Sequence, residues 1–161
     1  RATLFPYTTL FRSIVEIEIL DNEFNLRTVK KENMYFTYRK TEIQEKKWIV
    51  VSATFKFDKG FDNAKVEELR TKREGNHPLD LPNLGSTFKN PEGMFSARLI
   101  IEAGMQGVQI GGAQISMKHP NFVVNHGNAK FEDVINLVTE VKKAVKEKSG
   151  VDLHEEIIIV K

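Results

Sequence analysis

The chain has 161 residues, 40% of them hydrophobic and 29% charged, a length and balance that suit one compact domain or two small ones with a real core. Its formal net charge of +2 comes from 24 Lys and Arg interspersed with 22 Asp and Glu, which leaves no basic field to argue for nucleic acid. The absence of cysteine excludes disulfides, thiolate metal sites and a cysteine nucleophile and fits a reducing, cytoplasmic setting, and no apolar run approaches the roughly 18 residues of a membrane span.

The opening, "RATLFPYTTLFRS", differs from the rest of the chain. Pro6 and the threonines break its apolar stretch, and no small-residue cleavage site comes after it, so it does not read as a signal peptide. "YTTLF" has the composition of a strand but no alternation that would give it a buried face. Reverse-translated, residues 3–13 match a common short-read sequencing adapter codon for codon. The expectation is that this opening is adapter sequence joined in frame to a truncated gene at about Ile14. Finding the same codons in cleanly assembled genomic DNA would refute that hypothesis.

"IVEIEIL" alternates Val15, Ile17 and Ile19 with Glu16 and Glu18, and "DNEFN" supplies turn residues before "LRTV", so 14–30 reads as a β-hairpin. "KKENMYFTYR" reads as a short helix and loop. "KWIVVSATFKF" (47–57) is β-branched and nearly continuous in its apolar character, which predicts a central strand. "FDNAKVEELRTKRE" predicts a helix ending at Gly75. Residues 75–94, punctuated by Gly and Pro, read as a shaped loop. "FSARLIIEAGM" predicts a short helix stopped by Gly104, and "VQIGGAQIS" and "NFVVNHG" predict one strand each. From Asn128, a candidate N-cap, to Gly150, the residues Phe131, Val134, Ile135, Val138, Val141 and Val145 recur at helical spacing. "DLHEEIIIVK" reads as a closing strand. Strands and helices mix without strict βαβ alternation, which predicts the α+β class.

Neither a dinucleotide glycine fingerprint nor a P-loop is present, and His77, His119, His126 and His154 stand at no metal-ligand spacing. "GSTFKNP" (85–91) is more specific. A serine after glycine, in a loop flanked by Pro82 and Pro91, can be held with its hydroxyl available, with Lys89 and Asn90 beside it for phosphate or sugar oxygens. The competing reading is a serine that caps a helix. Arg39 beside Tyr38 suits a carboxylate or a phosphate, or else forms a surface ion pair.

Together, "FTYRKTEIQEKKWIVVSATFKF", "PNLGSTFKNPEG", "ARLIIEAGMQGVQIGGAQISMKHPNFVVNHGNA" and "KEKSGVDLHEEIIIV" resemble the second half of the UDP-N-acetylenolpyruvoylglucosamine reductase family, from about Ile14 to Lys161. The resemblance implies a flavoenzyme of peptidoglycan precursor synthesis. In it NADPH reduces FAD, and the flavin passes hydride to the enolpyruvyl double bond of UDP-N-acetylglucosamine enolpyruvate. It implies Ser86 as proton donor, with Arg39 and Glu156 polarising the substrate carboxylate. Asn90 and Gln114 would contact the substrate, Arg70 and Lys89 its diphosphate, and Tyr38 with Arg39 the cofactor. "LHEEI" departs from the family's "L-x-P-E-V": Glu155 stands for its Pro and Ile157 for its Val. A family lysine between Arg70 and Ser86 has no clear counterpart, with Arg73 or Lys72 as stand-ins, and a substrate-clamping tyrosine loop of one subtype is missing.

The family's glycine-rich flavin loops are not found in this sequence, so the expectation is a fragment that binds FAD weakly or not at all and does not turn over. It would comprise the end of an FAD domain (14–57), a substrate domain with its lead-in helix (58–148) and a strand returning to the FAD domain (149–161). No metal, nucleic acid or membrane insertion is expected, and a monomer is expected. A non-catalytic nucleotide-sugar-binding module is the alternative, although it would have no use for a proton donor.

Overall fold

A computed structural model describes residues 12–160, which fold as two compact units divided between Phe61 and Asp62. Most of the opening segment, and with it the question of its origin, lies outside the described residues.

In the first unit, β1 (Ile14–Leu20) pairs antiparallel with β2 (Leu26–Lys30) and with β5 (Ile49–Phe55), in the order β2-β1-β5. The hairpin turn forms because the Asp21 carboxylate accepts from the backbone N–H groups of Glu23 and Asn25, both at 2.9 Å. Ile17 and Ile19 are buried as their alternation predicts. Val15 is exposed and Ile14 buried in its place, because the register against β5 shifts between Ile14 and Glu16. Strand β5 is an edge among the described residues and not the central strand expected. The predicted short helix near residue 31 is one 3₁₀ turn, Lys31–Asn33. A two-residue hairpin comes next, β3 (Phe36–Thr37) and β4 (Lys40–Thr41), and then the single helical turn α1 (Glu42–Glu45).

The second unit begins with α2 (Asn63–Asn76), N-capped by the Asp62 carboxylate on the Lys65 N–H. It runs one residue past the predicted stop at Gly75, and none of its residues is buried. The loop expected over 75–94 contains a strand, β6 (Asn83–Ser86). After α3 (Ser96–Glu102), the single strand expected over "VQIGGAQIS" is a hairpin, β7 (Gln109–Ile110) and β8 (Ala113–Ile115). With β9 (Phe122–Asn125) these make an antiparallel sheet in the order β6-β9-β8-β7.

Close packing accounts for the two glycines at the β7–β8 turn. Gly111 has φ +53°, and a Cβ there would lie 2.3 Å from the Asp133 carboxyl; a Cβ on Gly112 would lie 2.3 Å from the Ala129 backbone nitrogen. That close approach lets Asp133 accept from the N–H groups of Gly112 at 3.1 Å and Lys130 at 2.9 Å. The turn is thereby tied to the start of α4 (Phe131–Ser149). The observed N-cap is Lys130 and not Asn128. Helix α4 ends at Gly150 with φ +73°, as its sequence predicts. It buries Leu137, Val138, Val141 and Val145, while Phe131 stays exposed. Each buried side chain contributes about 1.5–3 kcal/mol, so docking rather than propensity holds this lysine-rich helix. The core around it holds Phe88, Leu99, Ile100, Ala113, Ile115, Val123 and Leu153. Mixed helix and antiparallel sheet make the fold α+β, as expected. No helix among the described residues is long and apolar enough to cross a membrane.

Candidate functional site

The segment "GSTFKNP" is held on two sides. On one, Asn121 acts as a substitute strand: its side-chain oxygen accepts from the Phe88 N–H at 2.9 Å, and its amide donates to the Phe88 carbonyl at 2.8 Å. The Thr87 N–H donates to the Asn121 carbonyl at 2.8 Å. On the other side lies the C-terminal segment. The Glu156 N–H donates to the Thr87 carbonyl at 2.8 Å, the Lys89 N–H donates to the His154 carbonyl at 2.8 Å, and Phe88 and Glu155 form an antiparallel bridge. These contacts replace the closing strand expected over "DLHEEIIIVK", which forms nothing more regular than that bridge.

Ser86 ends β6, opposite Phe122 and after an irregularity in the ladder. Gly85 precedes it at φ +71°, and the Asn83 side chain ties the approach by accepting from the Gly85 N–H and donating to the Pro78 and Leu81 carbonyls. Ser86 caps no helix. That task falls near Ser96, whose N–H and hydroxyl both donate to the Asn90 side-chain oxygen, at 3.0 and 2.9 Å. Asn90 therefore braces the start of α3 with its side-chain oxygen. Thr87, next to Ser86, is fully buried, and its hydroxyl has no hydrogen-bond partner among the described residues.

Glu156 is half-buried, one residue from Glu155. Glu155 forms an ion pair with Lys142 of α4 at 2.7 Å. Burial pushes the Glu155 carboxyl up, but the Lys142 hydrogen bond and charge with the local backbone hold it below the usual carboxylate range. The Gln114 oxygen accepts from His126 Nε2 at 2.8 Å, and its amide donates to the Gly107 carbonyl at 3.0 Å, so its orientation is set by the β7–β9 region. Arg70 sits on the exposed face of α2, paired with Glu74 at 2.9 Å, and Lys89 is exposed. Arg39 and Tyr38 lie in the first unit, at the β3–β4 turn. Arg39 adopts φ +59°, with its guanidinium 5.6 Å from the Tyr38 ring centre.

The structure thus gathers Ser86, Thr87, Lys89, Asn90 and Glu156 around one short ladder. Sequence reasoning missed Asn121, the residue that grips the ladder from the other side. The only signal for it was a polar residue opening the apolar strand "NFVV". The histidines also meet: His77 and His119 stack with ring centres 5.3 Å apart, and both pack edge-on against Phe122.

A family model described as UDP-N-acetylenolpyruvoylglucosamine reductase, C-terminal domain, matches residues 77–160, a span that contains the whole ladder. The chain is 60% identical over 154 residues to the UDP-N-acetylenolpyruvoylglucosamine reductase of Fusobacterium nucleatum subsp. nucleatum, covering 96% of this chain and 55% of that protein. It is 44% identical over 158 residues to the protein of the same name from Caldanaerobacter subterraneus subsp. tengcongensis, covering 96% and 52%. The crystal structure of UDP-N-acetylenolpyruvylglucosamine reductase from Thermus caldophilus superimposes with a TM-score of 0.72 at 29% identity, covering 91% of this chain and 53% of that one. The chain spans about half the length of the curated relatives it matches.

Proposed function

Since the chain belongs to the UDP-N-acetylenolpyruvoylglucosamine reductase family, we propose that the whole protein reduces the enolpyruvyl group of UDP-N-acetylglucosamine enolpyruvate, and that this chain supplies the proton and holds the substrate. The observation that carries the reading is the ladder joining "GSTFKNP" to "LHEEI". The backbone bonds from Glu156 to Thr87 and from Lys89 to His154 join the segment after the proposed donor to the segment that carries the proposed carboxylate-polarising group, which supports the reading.

A two-electron reduction of this substrate adds hydride at the terminal vinyl carbon. The electron pair of the double bond moves onto the adjacent carbon and its carboxylate, giving an enolate-like centre. That centre needs electrostatic stabilisation and then a proton. Ser86 donates the proton from its hydroxyl, held by the Gly85 turn and the Asn83 brace. The Arg39 guanidinium, suited to bidentate donation, and Glu156 are given the polarising of the carboxylate. Arg70 and Lys89 take the diphosphate, and Asn90 and Gln114 the remaining polar contacts.

FAD as the hydride carrier and NADPH as its reductant are part of the proposal, but the described part of the first unit does not fit a flavin dinucleotide. A diphosphate needs a nest of backbone N–H groups or a free helix N-terminus. In the described part of the first unit the sequence has one glycine, Gly60, and the capping box of the four-residue helix α1 takes the Thr41 and Gln44 N–H groups. Tyr38 and Arg39 alone do not make a cradle. The cradle is therefore assigned to the part of the relatives' length that this chain does not span.

The test uses the whole protein. Ser86→Ala is expected to keep oxidation of the nicotinamide and to lose substrate reduction by about 10²–10⁴-fold, the usual contribution of a positioned acid. Undiminished substrate reduction would remove Ser86 from the role. Tight binding of the UDP-sugar without turnover in the unmodified protein would favour a nucleotide-sugar-binding module instead.

A further inference from the structure

The C-terminal segment that carries Glu156 belongs to no regular strand. It is seated by Leu153, which is fully buried in the core, and by the backbone bonds to Thr87 and Lys89. Helix α4 grips it from outside. Lys142 and Lys146 stand one turn apart on the same helical face and pair with Glu155 and Asp152, at 2.7 and 2.5 Å. The two pairs differ in shelter. Lys146 and Asp152 are 51% and 66% exposed, where water and salt leave an ion pair little net effect. Lys142 and Glu155 are 38% and 27% exposed, and Glu155 sits on the bridge to Phe88, beside Glu156.

We propose that the Lys142–Glu155 pair positions Glu156, and that Lys142 is a positioning residue of the reaction although it touches no reacting group. This inference rests on the role given to Glu156 under the proposed function. The pair acts in two ways. It fixes the backbone at residue 155, and through the bonds at Thr87 and Lys89 it fixes the spacing between the segment that carries Glu156 and the segment that follows Ser86. It also neutralises the charge of Glu155, which would otherwise stand unpaired one residue from a second carboxylate. A displacement of about 1 Å in a catalytic group can lower a rate by as much as 10²-fold, so a modest ion pair can have a large kinetic reading. Of the groups given substrate contacts, Arg70 on α2 and Gln114 on β8 lie off this ladder, so the loss falls on kcat more than on KM.

The experiment compares four variants of the whole protein: Lys142→Met, Lys142→Arg, the exchange Lys142→Glu with Glu155→Lys, and Glu156→Gln. Lys142→Met is expected to lower kcat about tenfold, with KM within about twofold and the folded fraction unchanged. Lys142→Arg and the charge exchange are expected to restore most of kcat. A Lys142→Met protein with full kcat, or one whose loss merely follows its unfolded fraction, overturns the inference, as does failure of both restoring variants. Glu156→Gln separates the two levels. If it is inactive while Lys142→Met is fully active, only the inference fails; if it is fully active, the role given to Glu156 fails with it.

Discussion

At the scale of single residues, the site depends on a side chain standing in for a strand. Asn121 satisfies both backbone groups of Phe88 inside the core, where an unpaired N–H or carbonyl costs about 1–3 kcal/mol. Asn121→Ala leaves both orphaned and is expected to destabilise the second unit by about 2–4 kcal/mol in urea titrations. Asn121→Asp keeps an acceptor for the Phe88 N–H but turns an oxygen towards the Phe88 carbonyl, and it should fare no better. A loss below about 0.5 kcal/mol would mean the bonds carry no net weight. Ser86 was legible in the sequence because Gly and Pro frame it. Asn121 was not, because a buried asparagine differs from a solvated one only in what folds over it. The same limit applies to Asn90: its motif singles out the loop but could not reveal that its oxygen is committed to Ser96.

At the scale of elements, the sequence revealed periods more readily than breaks. The alternation of β1 and the helical stripe of α4 were readable because each repeats over several residues. The β7–β8 hairpin was not, since "VQIGGAQIS" has strand composition on both sides of a turn whose only mark is the glycine pair. Contacts between elements distant in sequence lay further out of reach. His77 caps the end of α2 and His119 precedes β9, yet they stack against each other and Phe122. Lys118, beside His119, donates to the Glu74 carbonyl near the same helix end. Burial, and after it the His77 charge, hold the His119 imidazole below the usual histidine range, and its Nδ1 accepts from the Asn121 N–H at 3.3 Å. The folded state therefore binds this proton less readily than the unfolded chain, where histidine titrates near about 6.5. The contribution to stability is complete above that pH and declines as pH falls through it, until the folded value is passed. Urea unfolding is expected to show lower stability at about pH 5.5 than at about pH 7.5, with a smaller difference in His119→Gln. An equal difference in the variant would assign the slope to other groups.

At the scale of the whole chain, the α+β class followed from composition and element mixture, while the distribution of stability did not. "KWIVVSATFKF" is the most apolar stretch of the first unit, and a continuous apolar run argues for a strand covered on both faces. In the structure β5 pairs only with β1 among the described residues, and Ile49, Val50 and Val51 are about half exposed. The buried core of the first unit is Ile14, Ile17 and Ile19, whereas the second unit closes α3, α4 and a four-stranded sheet around a contiguous core. A small unit needs a substantial core to offset chain entropy, about 1–2 kcal/mol per ordered backbone residue. Expressed separately, residues 62–161 are therefore expected to unfold in one cooperative thermal transition, and residues 12–61 to show none. Circular dichroism melts of the two pieces decide the matter. A cooperative transition in 12–61 would mean that three isoleucines and their partly buried neighbours suffice. A featureless melt in 62–161 would mean that the ladder between "GSTFKNP" and "LHEEI" cannot form without the first unit, and the proposed site would then be a property of the longer chain.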